Sequence, residues 1–251
     1  MEVRISVVII TYNEAKNIGK CLDSVISIAD EIVVVDSFST DATESICNRY
    51  KAKFVQHKFE GHIQQKNYAI SQASFPYVLS LDADEMLSEN AISDIKYIKN
   101  NWTHDGYSFN RLNNYCGQWI KHGGWYPDRK LRLWDTTLGK WEGENPHDEF
   151  KMTESSRVKT LKSDILHYTL STREEHKKQI EYFTTIAAQA AFEKGKKSSY
   201  FKMLASSLLK FIKDYIFKLG FLDGKNGFII ASLSAGATYT KYRKLKDLNC
   251  A

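Results

Sequence analysis

Three short aliphatic runs constrain this chain more than any other feature: Ile5 to Ile10, Ile32 to Val35, and the YVLSL of Tyr77 to Leu81. Each run is continuous rather than alternating, so each reads as a strand covered on both faces, which is the pattern of a parallel sheet. Helical period fills the gaps. Ile18, Leu22, Val25 and Ile26 follow the first run, and a Ser/Thr/Asp-rich turn after the second leads into a helix from about Ala42. KFVQHKFEG predicts a short third strand and HIQQKNYAISQA a third helix. Strand and helix in alternation predict an α/β fold, a mostly parallel sheet flanked by helices. Ligands on such sheets bind beyond the carboxyl ends of the strands, where Thr11, Tyr12, Asn13, Glu14, Asp36 and Asp82 all fall.

Beyond Tyr107 the text becomes aromatic and strand-like as far as Trp134, and GKWEGENPHDEF then reads as a polar loop. Three helices are predicted after it, over about 172–193, 198–219 and 227–242. Charge divides the chain in the same place. Residues 1–150 carry 16 Lys and Arg against 21 Asp and Glu, whereas residues 151–251 carry 19 against 9. We therefore expect a domain over 1–150 and a basic, mostly helical extension over 151–251. A basic surface suits nucleic acid or an anionic membrane. Phe201, Leu204, Leu208, Leu209, Phe211, Ile212, Tyr215, Ile216 and Leu219 form a broad apolar stripe with lysines outside it, which favours the plane of a membrane and argues against a nucleic-acid partner. An ordinary helix packed on the first domain fits the same pattern. The 15 uncharged residues between Lys225 and Lys241 fall short of a membrane span. The four cysteines are widely spaced and the N-terminus enters strand-like sequence directly, so a reducing, cytoplasmic setting is expected.

Asp82, Asp84 and Glu85 place three acids within four positions at a strand end, and they repel one another unless a cation sits among them. Oxygen ligands of this kind suit Mg²⁺ or Mn²⁺, which in turn take up phosphate oxygens. The plainer reading is an acidic helix start. Asp36 fits a hydrogen-bond acceptor for a nucleoside or an Asp turn satisfied by its own loop. Lys66 fits a phosphate partner or a solvated lysine. Glu142, Glu144, His147, Asp148 and Glu149 cluster in WEGENPHDEF, and each taken singly reads as a solvated loop residue. Arg129 and Arg132 fit two-point contact with a diphosphate or an anionic acceptor, or simple surface charge.

Taken together, VVIITYNEAKNIGKCLDSV, EIVVVDSFSTDAT, QKNYAI and VLSLDADEML, in this order and spacing, resemble the catalytic domain of glycosyltransferase family two, of GT-A fold, over roughly residues 3–150. The resemblance implies a uridine diphosphate sugar donor. It sets Thr11, Tyr12, Asn13, Glu14 and Asp36 around the nucleoside, Lys66 nearby, Asp82 and Ala83 by the ribose or sugar, and Asp84 on Mg²⁺ or Mn²⁺, with Glu85 left as a helix-start charge. Many relatives carry two acids after the second strand, whereas here Asp36 is followed by Ser37. Transfer to an alcohol needs a base, and the acid following a histidine in the loop after RLW falls at Asp148, with Glu149 the alternative and His147 orienting the loop or approaching the metal.

GQWIKHGGWYPDRKLRLW, LHYTL and FLDGKNGF further resemble bacterial glucosyltransferases that extend the lipopolysaccharide inner core. This implies inverting transfer of a hexose, glucose first among them, to a lipid-linked saccharide by a cytoplasmic protein, peripheral on the inner face of the membrane. The QxxRW of processive synthases is absent, which favours addition of a single sugar. A non-catalytic nucleotide-sugar-binding protein fits the donor motifs equally. A sugar-phosphate nucleotidylyltransferase should carry a Gly-rich phosphate loop that TYNEAKNIG does not supply.

Overall fold

The computed structural model describes residues 2–144 and 147–250, with the side chains of Glu144 and His147 outside the description. The chain forms two compact units, Met1–Arg111 with Arg129–His167, and Leu112–Asp128 with Tyr168–Ala251. This division differs from a cut at Phe150. The strand Val158–Leu170 carries pairing of the first unit's sheet past that point, and the hairpin around 115–120 packs with Leu170 and Ile230 of the second.

The first unit is built on β1 (Ile5–Thr11), β2 (Glu31–Asp36), β3 (Lys53–Gln56) and β4 (Tyr77–Asp82), parallel and ordered β3-β2-β1-β4. Helices α1 (Ile18–Val25), α2 (Thr43–Arg49) and α3 (His62–Ser71) make the crossovers, as the apolar spacing predicts. The sheet continues through β8 (Asp128–Asp135), which runs antiparallel to β4, then β6 (Gly106–Tyr115), β11 (Val158–Leu170) and β5 (Glu85–Leu87), while α4 (Glu89–Asn100) starts from a Ser88 side-chain cap. Both faces of the parallel strands are covered. Ile5, Val7, Ile9, Leu79 and Leu81 join Ile18, Leu22 and Val25 of α1 on one side, and Val8, Val33, Val35 and Val78 meet Ala69 of α3 on the other. Each such side chain contributes about 1.5–3 kcal/mol by leaving water.

Register decides where the chemistry sits. Thr11 pairs with Asp36 and Ile10 with Asp82, so the ends of three neighbouring strands deliver their polar residues side by side.

GKWEGENPHDEF is not a loop. It forms an antiparallel pair of β9 (Gly139–Glu144) and β10 (His147–Met152), and Asn145 and Pro146 between them lie outside the described residues. Phe150 lies opposite Trp141 in the ladder, and both rings pack on Trp134, the Phe150 ring stacking at 4.0 Å. Cross-strand aromatic pairs of this kind hold a ladder together, and the density of charge in the segment hides them from a polarity count.

In the second unit β7 (Gln118–Ile120) pairs with the end of β6, and α5 (Arg173–Glu193), α6 (Tyr200–Ile212) and α7 (Gly224–Cys250) follow. A capping box starts α5, with Thr172 accepting from Glu175 N and the Glu175 carboxylate accepting from Thr172 N. The helix expected over 198–219 ends as an α-helix at Ile212 and continues as a π-helical turn, Lys213–Phe217, and a 3₁₀ turn, Gly220–Asp223. The last helix starts at Gly224 and runs past 242 to Cys250, where neither Gly nor Pro interrupts it after Gly236. Buried Asp223 anchors the 121–122 backbone, accepting from Lys121 N and from His122 N at 2.8 Å.

Candidate active site

A cleft of about 720 Å³ opens at the carboxyl ends of β1 and β4, entirely within the first unit. Thr11, Tyr12, Glu14, Lys66, Asp148 and the Asp82–Ala83–Asp84 turn are among the residues that line it.

The TYNE segment is shaped by the loop after β2. Asn13 takes a left-handed backbone, φ 54°, which asparagine tolerates. Its N–H donates to Ser39 Oγ and its side-chain oxygen accepts from Thr40 N, while Glu14 N donates to Thr43 Oγ1. Tyr12 is 59% exposed and stands over the cleft. Thr11 Oγ1 is buried and has no hydrogen-bond partner among the described residues. Burial pushes the Glu14 carboxyl up, Asn17 donates to it and opposes the rise, and the charges of Asp84 and Asp41 reinforce it.

Asp36 is fully buried, and its two oxygens accept from Ser39 N and Ser39 Oγ. The carboxylate thus organises its own turn, while the adjacent Ser37 lines the cleft.

Beneath the acidic turn lies a chain of alternating charge. Lys66, on α3, donates to Asp148 Oδ2 at 2.7 Å, lies 3.3 Å from Asp82 Oδ1 and sits 4.5 Å above the Trp141 ring. Asp82 Oδ2 is 3.3 Å from Arg132 Nη2, which also meets Glu85 Oε1 at 2.5 Å, and Arg111 stands 3.7 Å from the same Glu85 oxygen. Burial works against the charge of Asp82, but Lys66 and Arg132, with His167 adding to them, hold its carboxyl well below the usual range.

Glu85 therefore has a different place from the one expected. It is not a helix-start charge, since α4 begins at Glu89 and Glu85 is a buried β5 residue that accepts from Asp82 N and anchors Arg132. A buried carboxylate is tolerable only with such partners. Lys66 is likewise no solvated lysine, being 5% exposed. The two arginines of DRKLRLW separate: Arg132 is buried in the network, whereas Arg129 is exposed and outside the cleft lining. Strand alternation on β10 puts Asp148 on the same inward face as Phe150, and Glu149 is exposed. His147 begins β10, and its side chain lies outside the described residues.

Sequence reasoning missed His167. Antiparallel pairing of β11 with β5 sets His167 opposite Glu85, and its Nε2 lies 3.2 Å from Asp84 Oδ2, with both side chains on the cleft. A sequence separation of 83 between the partners leaves no local spacing to read. Among the described residues no group of three His, Cys, Asp or Glu side chains is arranged to hold a metal. Asp84 and His167 nevertheless form an oxygen and nitrogen pair open to the cleft, which fits a divalent cation that completes its shell with phosphate oxygens and water.

A mostly parallel α/β sheet with an acidic turn at the end of its fourth strand defines the class. Residues 6–161 match the model of glycosyl transferase family 2, and the chain belongs to that family and is a glycosyltransferase. It is 28% identical over 257 residues to an uncharacterized glycosyltransferase of Rickettsia prowazekii (strain Madrid E), covering 98% of this chain and 88% of that protein. It is 25% identical over 252 residues to the lipopolysaccharide core biosynthesis glycosyltransferase LpsC of Rhizobium meliloti (strain 1021), covering 95% and 93%. Among solved structures, S. aureus TarS 1-349 in complex with UDP-GlcNAc aligns with a TM-score of 0.49 at 18% identity, covering 97% of this chain and 90% of that one.

Proposed function

We propose that this glycosyltransferase moves a hexose, glucose being the first candidate, from a UDP-sugar to a lipid-linked saccharide of the bacterial envelope at the inner face of the cytoplasmic membrane. The observation that carries the reading is the convergence of Asp82, Asp84, His167, Lys66 and Asp148 on one cleft. A lipopolysaccharide-core acceptor is supported by the near full-length similarity to LpsC.

Thr11 and the Tyr12 ring, on the cleft wall, receive the nucleoside, and Asp82, fixed between Lys66 and Arg132, accepts from a sugar or ribose hydroxyl. Asp84 and His167 would hold Mg²⁺ or Mn²⁺, which when bound supplies positive charge to the diphosphate. Asp148 takes the proton of the acceptor hydroxyl as its oxygen bonds to the anomeric carbon. The bond from that carbon to the diphosphate oxygen breaks and the electron pair leaves on UDP, inverting the centre. Asp148 is the base rather than Glu149 because it alone of the two lines the cleft.

The test is UDP release from a panel of UDP-hexoses by the purified protein with Mn²⁺ and a core saccharide acceptor. Acceptor-dependent UDP release with a single donor is expected. Binding of UDP without release from any donor would overturn the reading.

A further inference from the structure

An amphipathic helix in a folded domain ordinarily turns its apolar stripe inward; α6 turns a second one outward. Its inner side meets α7: Met203 is buried and Ser207 Oγ donates to Ala235 O at 2.7 Å. The opposite side carries Phe201, Leu204, Leu208 and Leu209, exposed by 81, 64, 61 and 65%. At 3.6 residues per turn these share one face of the helix. In the π-helical and 3₁₀ turns that follow, Ile216, Phe217 and Leu222 are exposed as well. Such a run is far from the scattered apolar residues normal on a surface.

The charges beside it have one sign. Between 196 and 228 there are seven lysines and two acids, Asp214 and Asp223. Both acids are buried, the first paired with Lys210 at 2.8 Å and the second held by the 121–122 backbone and His122. Lys196, Lys197, Lys213, Lys218 and Lys225 remain exposed. Among the described residues no helix is long and apolar enough to cross a membrane.

We propose that this ridge docks on an anionic lipid bilayer, with Phe201, Leu204, Leu208 and Leu209 entering the headgroup boundary and the neighbouring lysines meeting lipid phosphates. A second copy of the chain is the poorer occupant, because ridge against ridge would juxtapose lysines of like charge. The proposal does not rest on the donor and acceptor assignment. Failure of UDP release would leave it standing, and loss of vesicle binding would leave sugar transfer standing.

The test is sedimentation of the full chain with phosphatidylcholine vesicles, with and without phosphatidylglycerol. Binding to the anionic vesicles is expected, weakening with added salt. Phe201→Ser with Leu208→Ser, both at exposed positions, should lower partitioning by about tenfold or more. Lys213→Gln and Lys225→Gln should each lower it by about fivefold. UDP binding, followed by titration, should be unchanged in all of these variants. Absence of binding to anionic vesicles, equal binding by the Ser variant, or a dimer that the same substitutions dissolve would each overturn the proposal.

Discussion

Lys66 Nζ donates to Asp148 Oδ2 at 2.7 Å, joining the third crossover helix to the β9–β10 pair across 82 residues of sequence. The same ammonium lies 3.3 Å from Asp82. One buried lysine therefore sets the spacing between the carboxylate assigned to the donor and the one assigned to the acceptor.

Removal of the proposed base tests that assignment. Asp148→Asn should keep the strand pair, because its ladder and the Trp141–Phe150 contact are unaffected. Turnover should fall by about 10²–10⁴-fold, the usual contribution of a positioned base, with UDP-sugar affinity by calorimetry changed far less. Glu149→Gln, at an exposed position outside the cleft, should leave kcat near that of the wild type.

The Arg132–Glu85 pair is structural support for Asp82. Arg132→Met leaves buried Glu85 with the Asp82 N–H and the more distant Arg111, and should cost about 3 kcal/mol or more in urea denaturation, as expected for one half of a buried pair. Glu85→Leu combined with Arg132→Met should recover a large part of that loss, since neither charge is then stranded. Additive losses in the double variant would mean that the two side chains act independently.

Metal dependence should distinguish Asp84 from its neighbours. Asp84→Ala and His167→Ala should each weaken Mn²⁺ binding at least about tenfold, the scale on which even supporting residues act, read from Mn²⁺ titration in the presence of UDP. Unchanged Mn²⁺ affinity in His167→Ala would remove that histidine from the site.

His176 should make stability depend on pH. Burial against Tyr115 pushes its imidazole below the ordinary value of 6.5, so the unfolded chain binds a proton more readily than the folded one. This contribution is fully present above the unfolded value, and stability is lost as the pH falls through 6.5 toward the lowered folded value. His176→Gln should therefore show a shallower loss of urea stability between neutral and mildly acidic pH than the wild type. Parallel slopes would exclude His176 as the cause.

Close approach of backbones in the second unit gives a last test. A Cβ on Gly227 would collide with the carbonyl oxygen of Gly220, and that backbone atom has no rotamer by which to move aside. Gly227→Ala should cost about 1–3 kcal/mol, whereas Gly236→Ala, with open space around it, should be neutral or slightly stabilising in thermal denaturation.

What the sequence by itself determined is the class of fold and the strand ends where the chemistry gathers. Short continuous aliphatic runs rich in Val and Ile and bounded by turns fit a sheet buried on both faces, and turn residues after each run name its carboxyl end. Thr11, Asp82 and Asp84 were legible for that local reason. Only the tertiary structure decided where each acid sits and what it pairs with. Glu85 differs from Asp84 because β5 turns it toward Arg132, a strand 47 residues away, and Asp148 differs from Glu149 because a strand pair, invisible behind its charges, has an inner and an outer face. His167 enters through β11 and Lys66 through α3, each from far along the chain. Pairing between distant charges depends on register and burial, and neither is written in the spacing of residues along the chain.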